Sequence, residues 1–143
     1  MSYKTVKKDA FAEIEIKKSK FMAHIAEVRS EAEAEALIKE TKKKYYDASH
    51  SCSAYILNSD KGIRHSSDDG EPSGTAGKPI LDVISGAGLS DVIVIVTRYF
   101  GGTELGTGGL VRAYSGATIE VLKNSTVVDV VSAKLTEFVI DYG

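Results

Sequence analysis

Two stretches hold the residue types that do chemistry. The first runs Ser66-Ser67-Asp68-Asp69-Gly70-Glu71-Pro72-Ser73-Gly74-Thr75-Ala76-Gly77-Lys78-Pro79. It places the carboxylates of Asp68, Asp69 and Glu71 within four positions and follows them with the hydroxyls of Ser73 and Thr75. Oxygens at this density suit a hard cation such as Mg²⁺. A close carboxylate pair also suits general acid–base work, because like charges drive one pKa up. The same residue types satisfy free N–H groups ahead of a helix, and on spacing alone that capping role is favoured. The length of the loop points the other way, since long ordered loops in compact domains tend to be functional.

The second stretch runs from Arg98 to Ser115 and packs five glycines between Gly101 and Gly109 (Gly101, Gly102, Gly106, Gly108, Gly109), with Arg98 and Arg112 on its flanks. Glycine permits positive φ and close approach to the backbone. A helix opening here turns its free amides and the positive end of its dipole toward the loop, so an anion is the simplest ligand. It is neither of the two familiar nucleotide loops. The nearest phosphate-loop match has Pro72 where a glycine is needed and Pro79 where Ser or Thr should follow Lys78, and a dinucleotide fingerprint through Gly106 and Gly108 would need its third glycine at Val111. The pair His50 and Cys52 is a third candidate, as a thiol nucleophile with a base. No third orienting group is identifiable, and a lone cysteine is more often a small buried hydrophobe. Metal-ligand spacings of the His-Glu-x-x-His and Cys-x-x-Cys kinds are absent from the sequence, so no metal site is assigned.

The surrounding pattern says which elements position these residues. Phe11 to Ile16 alternates and Phe21 to Val28 is strand-like, with Lys17-Lys18-Ser19-Lys20 as the turn of a hairpin. Residues 1–9 are polar and are expected to fray. Ser30 and Glu33 form a capping box, after which Ala34, Leu37, Ile38, Thr41 and Tyr45 share a helical face. The run Lys42-Lys43-Lys44 then falls at the helix end, where the dipole favours it. Residues 50–58 read as a strand with His50, Cys52, Ala54 and Ile56 on one face. Lys61-Gly62 reads as a turn and Ile63 to Ser66 as a short strand. Pro79 falls in the first turn of a helix ending near Gly86. Asp91 to Tyr99 is apolar on both faces and so central in its sheet. The helix after the glycines turns Leu110, Ala113 or Tyr114, Ala117 and Val121 inward and ends near Asn124. Val127 to Val131 and Leu135 to Ile140 are further strand-like pieces.

A chain of 143 residues is enough for one domain with a real core. The balance of 18 Lys and Arg against 20 Asp and Glu excludes a polycation, so any nucleic-acid contact must come from a local patch. The one cysteine rules out an internal disulfide and suits a reducing cytosol. No apolar run reaches membrane-spanning length, and a cytoplasmic location is expected.

At the two loop motifs the sequence resembles the YigZ/IMPACT family. The resemblance is carried by Ser19-Lys20-Phe21, by His50, Cys52 and Ala54-Tyr55, by Ser67 through Gly77, by Pro79-Ile80, and by Thr97 through Tyr114. It implies an α/β (α+β) two-layer sandwich similar to domain 2 of ribosomal protein S5, with about four strands and two helices on one face. It also implies a division into an IMPACT N-terminal-type domain, residues 1–131, and a stub at 132–143 resembling the first strand of a ferredoxin-like second domain. Eukaryotic members are translational regulators that act through a ribosome-associated scaffold.

On this reading the chain is a non-catalytic, monomeric module linked to translation or the stress response. It binds RNA or a ribosome-associated protein and needs no membrane and no resident cofactor. The ligand-binding set is Asp68, Asp69, Glu71, Ser73, Thr75, Lys78, Arg98, Gly101, Gly102, Gly108 and Arg112. Phosphates would meet Arg98, Arg112, Lys78 and helix amides, with Mg²⁺ bridging the acids to phosphate. The alternative is a metal-dependent hydrolase or phosphotransferase in which Asp68, Asp69 and Glu71 hold the metal and Arg98 steadies developing charge. Carboxylates converging on one point would favour the enzyme; carboxylates capping the helix at Pro79 would count against it.

Overall fold

A computed structural model describes residues 2–58, 62–133 and 136–141. Eight strands and three helices follow in the order β1 (Ser2–Val6), β2 (Ala10–Ile16), β3 (Ser19–Glu27), α1 (Glu31–Lys44), β4 (His50–Ile56), β5 (Arg64–Ser67), α2 (Gly77–Gly86), β6 (Val92–Tyr99), α3 (Gly106–Asn124), β7 (Val127–Ala133) and β8 (Thr136–Asp141). The main sheet has five strands in the order β2-β3-β6-β4-β5, one more than the expected four, all paired antiparallel. As its two-sided hydrophobicity predicts, β6 lies at the centre.

Each face of β6 has its own core. On one face Val92, Val94 and Val96 pack with Phe21, Ile25, Cys52 and Ala54 under Ile80 and Ile84 of α2 and Leu110, Tyr114, Ala117 and Val121 of α3. The inward residues expected of α3 are all buried there. On the other face Ile93 and Ile95 meet Tyr55, Leu57 and Val28 under Ala34 and Ile38 of α1. The sandwich therefore has its two helices on one face, as expected, and the helix opened by Ser30 covers part of the other. The Ser30 hydroxyl accepts from the Glu33 amide at 3.1 Å, and the Glu33 carboxylate accepts from the Arg29 amide at 2.6 Å.

Of the residues expected to fray, 2–6 form a paired strand instead. β1 pairs with β7 from Ser2↔Val131 to Val6↔Val127, and β7 pairs in turn with β8, giving a three-stranded second sheet. Asp91 pins this sheet to the first: its Oδ2 accepts from Tyr3 Oη at 2.7 Å, its Oδ1 from the Asn58 amide at 2.9 Å, and its backbone carbonyl from Thr5 Oγ1 at 3.1 Å. Of the expected turn at Lys61-Gly62, Lys61 lies outside the described residues, as do residues 134–135 and 142–143 of the 132–143 stub.

At the other end of the main sheet the β2–β3 turn has two residues, Lys17 and Lys18, with φ of 48° and 68°. That is the two-residue hairpin turn that Asn-Gly suits best. Gly101, leaving β6, lies against this turn so closely that a Cβ on it would overlap the Lys18 carbonyl. The close approach explains why that position is glycine.

Candidate functional site

The three carboxylates of the acidic loop do not converge. Asp68 caps α2 from upstream: Oδ1 accepts from the amides of Gly77 (2.9 Å) and Ala76 (3.2 Å), and Oδ2 from that of Gly74 (2.9 Å). The N-cap residue of α2, Ala76, has no side chain able to do this. Burial pushes the Asp68 carboxyl up, and the three amides more than reverse it, so the group titrates below its ordinary range. Asp69, at φ 42°, accepts from the Ser51 amide at 2.7 Å and pairs with Lys42 at 2.8 Å. Glu71 turns inward and is buried.

Glu71 is the centre of a network that ties four elements together. Arg98 Nη1 donates to both its oxygens, at 3.1 and 2.9 Å, and Tyr114 Oη donates to Oε2 at 2.6 Å. Arg98 also donates from Nη2 and Nε to Ser19 Oγ, at 3.2 and 3.4 Å, and the Gly101 amide donates to the same hydroxyl at 3.2 Å. The rings of Phe21 and Phe100 lie 5.5 and 5.4 Å from the guanidinium. A buried charge keeps its ionised form only with such partners, and here each charge has them. With its side chain 6% exposed, Arg98 is a buried strut and not a solvent-facing phosphate contact.

In front of this network lies a cleft of about 460 Å³, bordered by His50, Glu71, Phe100, Glu104, Thr107 and Leu110. The acidic loop and the glycine stretch meet across it. The helix opens earlier than the sequence implies, at Gly106, so Gly108 and Gly109 belong to its first turn. Its N-cap, Leu105, supplies no side-chain cap. His50 Nδ1 donates to the Asp69 carbonyl at 2.8 Å, and Nε2 faces Glu71 Oε1 at 3.4 Å. A carbonyl can only accept, so Nδ1 carries the hydrogen.

Cys52 lies behind His50 on the same strand face, as the spacing predicts, and its thiol donates to the Asp68 carbonyl at 3.1 Å. Burial foremost, with the nearby carboxylates of Glu71, Asp69 and Asp68, pushes the thiol far up, opposite to what a nucleophile needs. Tyr114 is likewise raised by burial, then by Cys52 and Glu71, and serves as a donor only.

The remaining expected ligand residues fall elsewhere. Thr75 is buried and donates to the Pro72 carbonyl at 2.6 Å. Lys78 pairs with Asp82 one turn along α2, at 3.3 Å. Ser73, Gly102, Gly108 and Arg112 are exposed and do not border the cleft, and Gly102 takes φ 90°. Among the described residues no group of three His, Cys, Asp or Glu could hold a metal ion. Of the expected set, Glu71 and Arg98 border the cleft. Sequence reasoning missed Ser19, Phe100, Thr107 and Tyr114 as parts of the site. Tyr114 carried a readable signal: a hydroxyl on the inward face of a helix requires a buried partner.

The Impact N-terminal domain matches residues 17–122. The chain is 47% identical over 128 residues to the IMPACT family member YvyE of Bacillus subtilis (strain 168), covering 90% of this chain and 59% of that protein. It is 41% identical over 114 residues to the IMPACT family member YigZ of Escherichia coli (strain K12), covering 78% of this chain and 56% of that one. The chain thus spans less than two thirds of the length of these relatives. Its fold is similar to that of a crystal structure described as a hypothetical protein (TM-score 0.85, 37% identity, 90% of this chain and 63% of the other). It is also similar to the two-domain translational regulator Yih1 (TM-score 0.51, 30% identity, 85% of this chain and 47% of the other). Both loops that build the cleft lie inside the matched domain, and the chain belongs to the IMPACT family.

Proposed function

We propose that this chain is a non-catalytic binding module in the regulation of translation, meeting RNA or a ribosome-associated protein at the cleft between the acidic loop and the first turn of α3. The similarity to Yih1, described as a translational regulator, supports the regulatory role. The observation that carries the reading is how the cleft is built. Its strongest charges, Glu71 and Arg98, neutralise each other in the wall, whereas Phe100, Thr107, Glu104 and one edge of His50 face the opening. A wall whose two buried charges are already paired with each other fixes the shape of the cleft. A flat group could stack on Phe100, which is 50% exposed, while an acceptor reaches the uncapped start of α3.

A metal-dependent hydrolase built on Asp68, Asp69 and Glu71 finds no support in this geometry, because each carboxylate is aimed at a different internal partner. Co-sedimentation with purified ribosomes tests the proposal. Thr107→Glu places an acid where the helix dipole favours it, so the fold is kept while an acceptor-bearing partner is repelled. Wild type pellets with ribosomes, and Thr107→Glu and Phe100→Ala shift to the supernatant. Pelleting unaffected by both substitutions overturns the assignment of the cleft.

A further inference from the structure

The end of the main sheet beside the cleft shares Phe100 with it and carries further features of its own. Lys17 and Lys18 form the β2–β3 turn with both φ values positive, a conformation that strongly prefers Asn and Gly. Lysine there is less favourable for the turn than Asn or Gly. The turn is bound into a larger surface. Lys20 lies opposite Tyr99 in the β3–β6 register, Tyr99 Oη donates to Asp47 Oδ1 at 2.9 Å, and the Phe100 amide donates to Ser49 Oγ at 3.1 Å. These contacts bring the turn, the end of β6 and the exit of α1, with Lys43 and Lys44, to one end of the molecule.

Among the described residues none of Lys17, Lys18, Lys20, Lys43 and Lys44 has an acid within ion-pair distance. The acids nearby are of two kinds, those with a partner and those without, and Glu13 and Glu40 line one groove with Lys44. Asp47 accepts from Tyr99 and Asp69 pairs with Lys42, while Glu15 sits across from Lys20 in the hairpin and Glu104 faces the cleft. Two rings are exposed here, Tyr46 at 85% and Phe100 at 50%, and Lys44 lies over a third, Tyr45, at 5.3 Å.

Unpaired cations around exposed, unburied rings are what a single strand of nucleic acid requires, since phosphates meet the lysines and any base can stack on a ring. We propose that this lysine and aromatic end binds single-stranded RNA, with Lys17, Lys18 and Lys43 on phosphates and Tyr46 and Phe100 as stacking platforms. The inference builds on the reading of the chain as a translation-linked binding module, but sets the RNA across the outer surface and leaves the interior of the cleft to another group.

The test is fluorescence anisotropy with a labelled, unstructured RNA of about 12 nucleotides, at about 50 and 200 mM salt. The informative variant is Lys17→Asn/Lys18→Gly, which gives the turn its preferred residues and raises thermal stability while removing two cations. The expected result is a protein that melts higher yet binds RNA about tenfold more weakly, with the salt slope shallower by about 1.4. Tyr46→Ala weakens binding about fivefold or more. Lys8→Gln/Lys123→Gln, far from this end, leaves affinity nearly unchanged. Undiminished binding by Lys17→Asn/Lys18→Gly overturns the inference, as does equal loss in the remote pair or no RNA binding at low salt. If that variant leaves ribosomes without any change in RNA affinity, the surface contacts protein and the inference fails. Loss of RNA in Thr107→Glu alone also defeats it, while leaving the cleft assignment standing.

Discussion

Glu71 and Arg98 are the two residues on which the site turns, and their worth can be measured. Removing one partner leaves the other buried and uncompensated, so Glu71→Gln and Arg98→Ala are each expected to cost about 3–5 kcal/mol in urea denaturation. Tyr114→Phe keeps the volume and deletes one charge-assisted bond, at about 1.5–3 kcal/mol. Equal stability of all three with wild type would show that the network is not formed in solution. Asp68 adds a pH signature. Its folded pKa is below the unfolded value of about 3.9, so its contribution is fully present above that value and is lost as the pH falls through the folded pKa. The stability gap between wild type and Asp68→Asn is therefore constant above about pH 5 and closes below about pH 4. A gap that persists in acid would contradict the capping role. The spacing of Asp68 ahead of Pro79 made that role legible in the sequence, because capping needs only local chain. That Asp69 would reach Ser51 and Glu71 would reach Arg98 was not legible, since those contacts join segments 18 and 27 positions apart through a fold that must form first.

Among the elements, the hairpin of β2 and β3, the central β6, the α1 capping box and the inward face of α3 follow from local periodicity and were readable for that reason. β1 was not. Its partner β7 lies at the far end of the chain, and a short polar strand gives no sign of so distant a pairing. Lys42 to Lys44 illustrate the same limit. By itself the run is a solvated helix end, and only the folded chain brings Lys42 to Asp69. The glycines divide in the same way. Gly101 is required by its approach to the Lys17-Lys18 turn, so Gly101→Ala must push the β6 exit away from Lys18 and lower the melting temperature well below that of wild type. Gly86→Ala serves as the control, since a Cβ there meets nothing within 4 Å. Equal melting of the two variants would refute the close packing of loop on turn.

At the scale of the whole molecule the charge is nearly balanced, yet its distribution is not. Lys17, Lys18, Tyr46 and Phe100 are exposed toward the sheet end that opens the cleft, Phe11 is exposed toward the other end of β2, and Asp91 ties that opposite end to the second sheet. Among the described residues no helix is long and apolar enough to cross a membrane. In the proposed function the cleft end is the one that meets the partner. Site-directed photo-crosslinking tests this most directly, with a benzophenone side chain placed at Thr107 in the cleft or at Lys123 on the far end of α3. In the presence of ribosomes the account predicts a discrete adduct to ribosomal RNA or to a ribosome-associated protein from position 107 and none from position 123. No adduct from 107, or the same adducts from both positions, would contradict it.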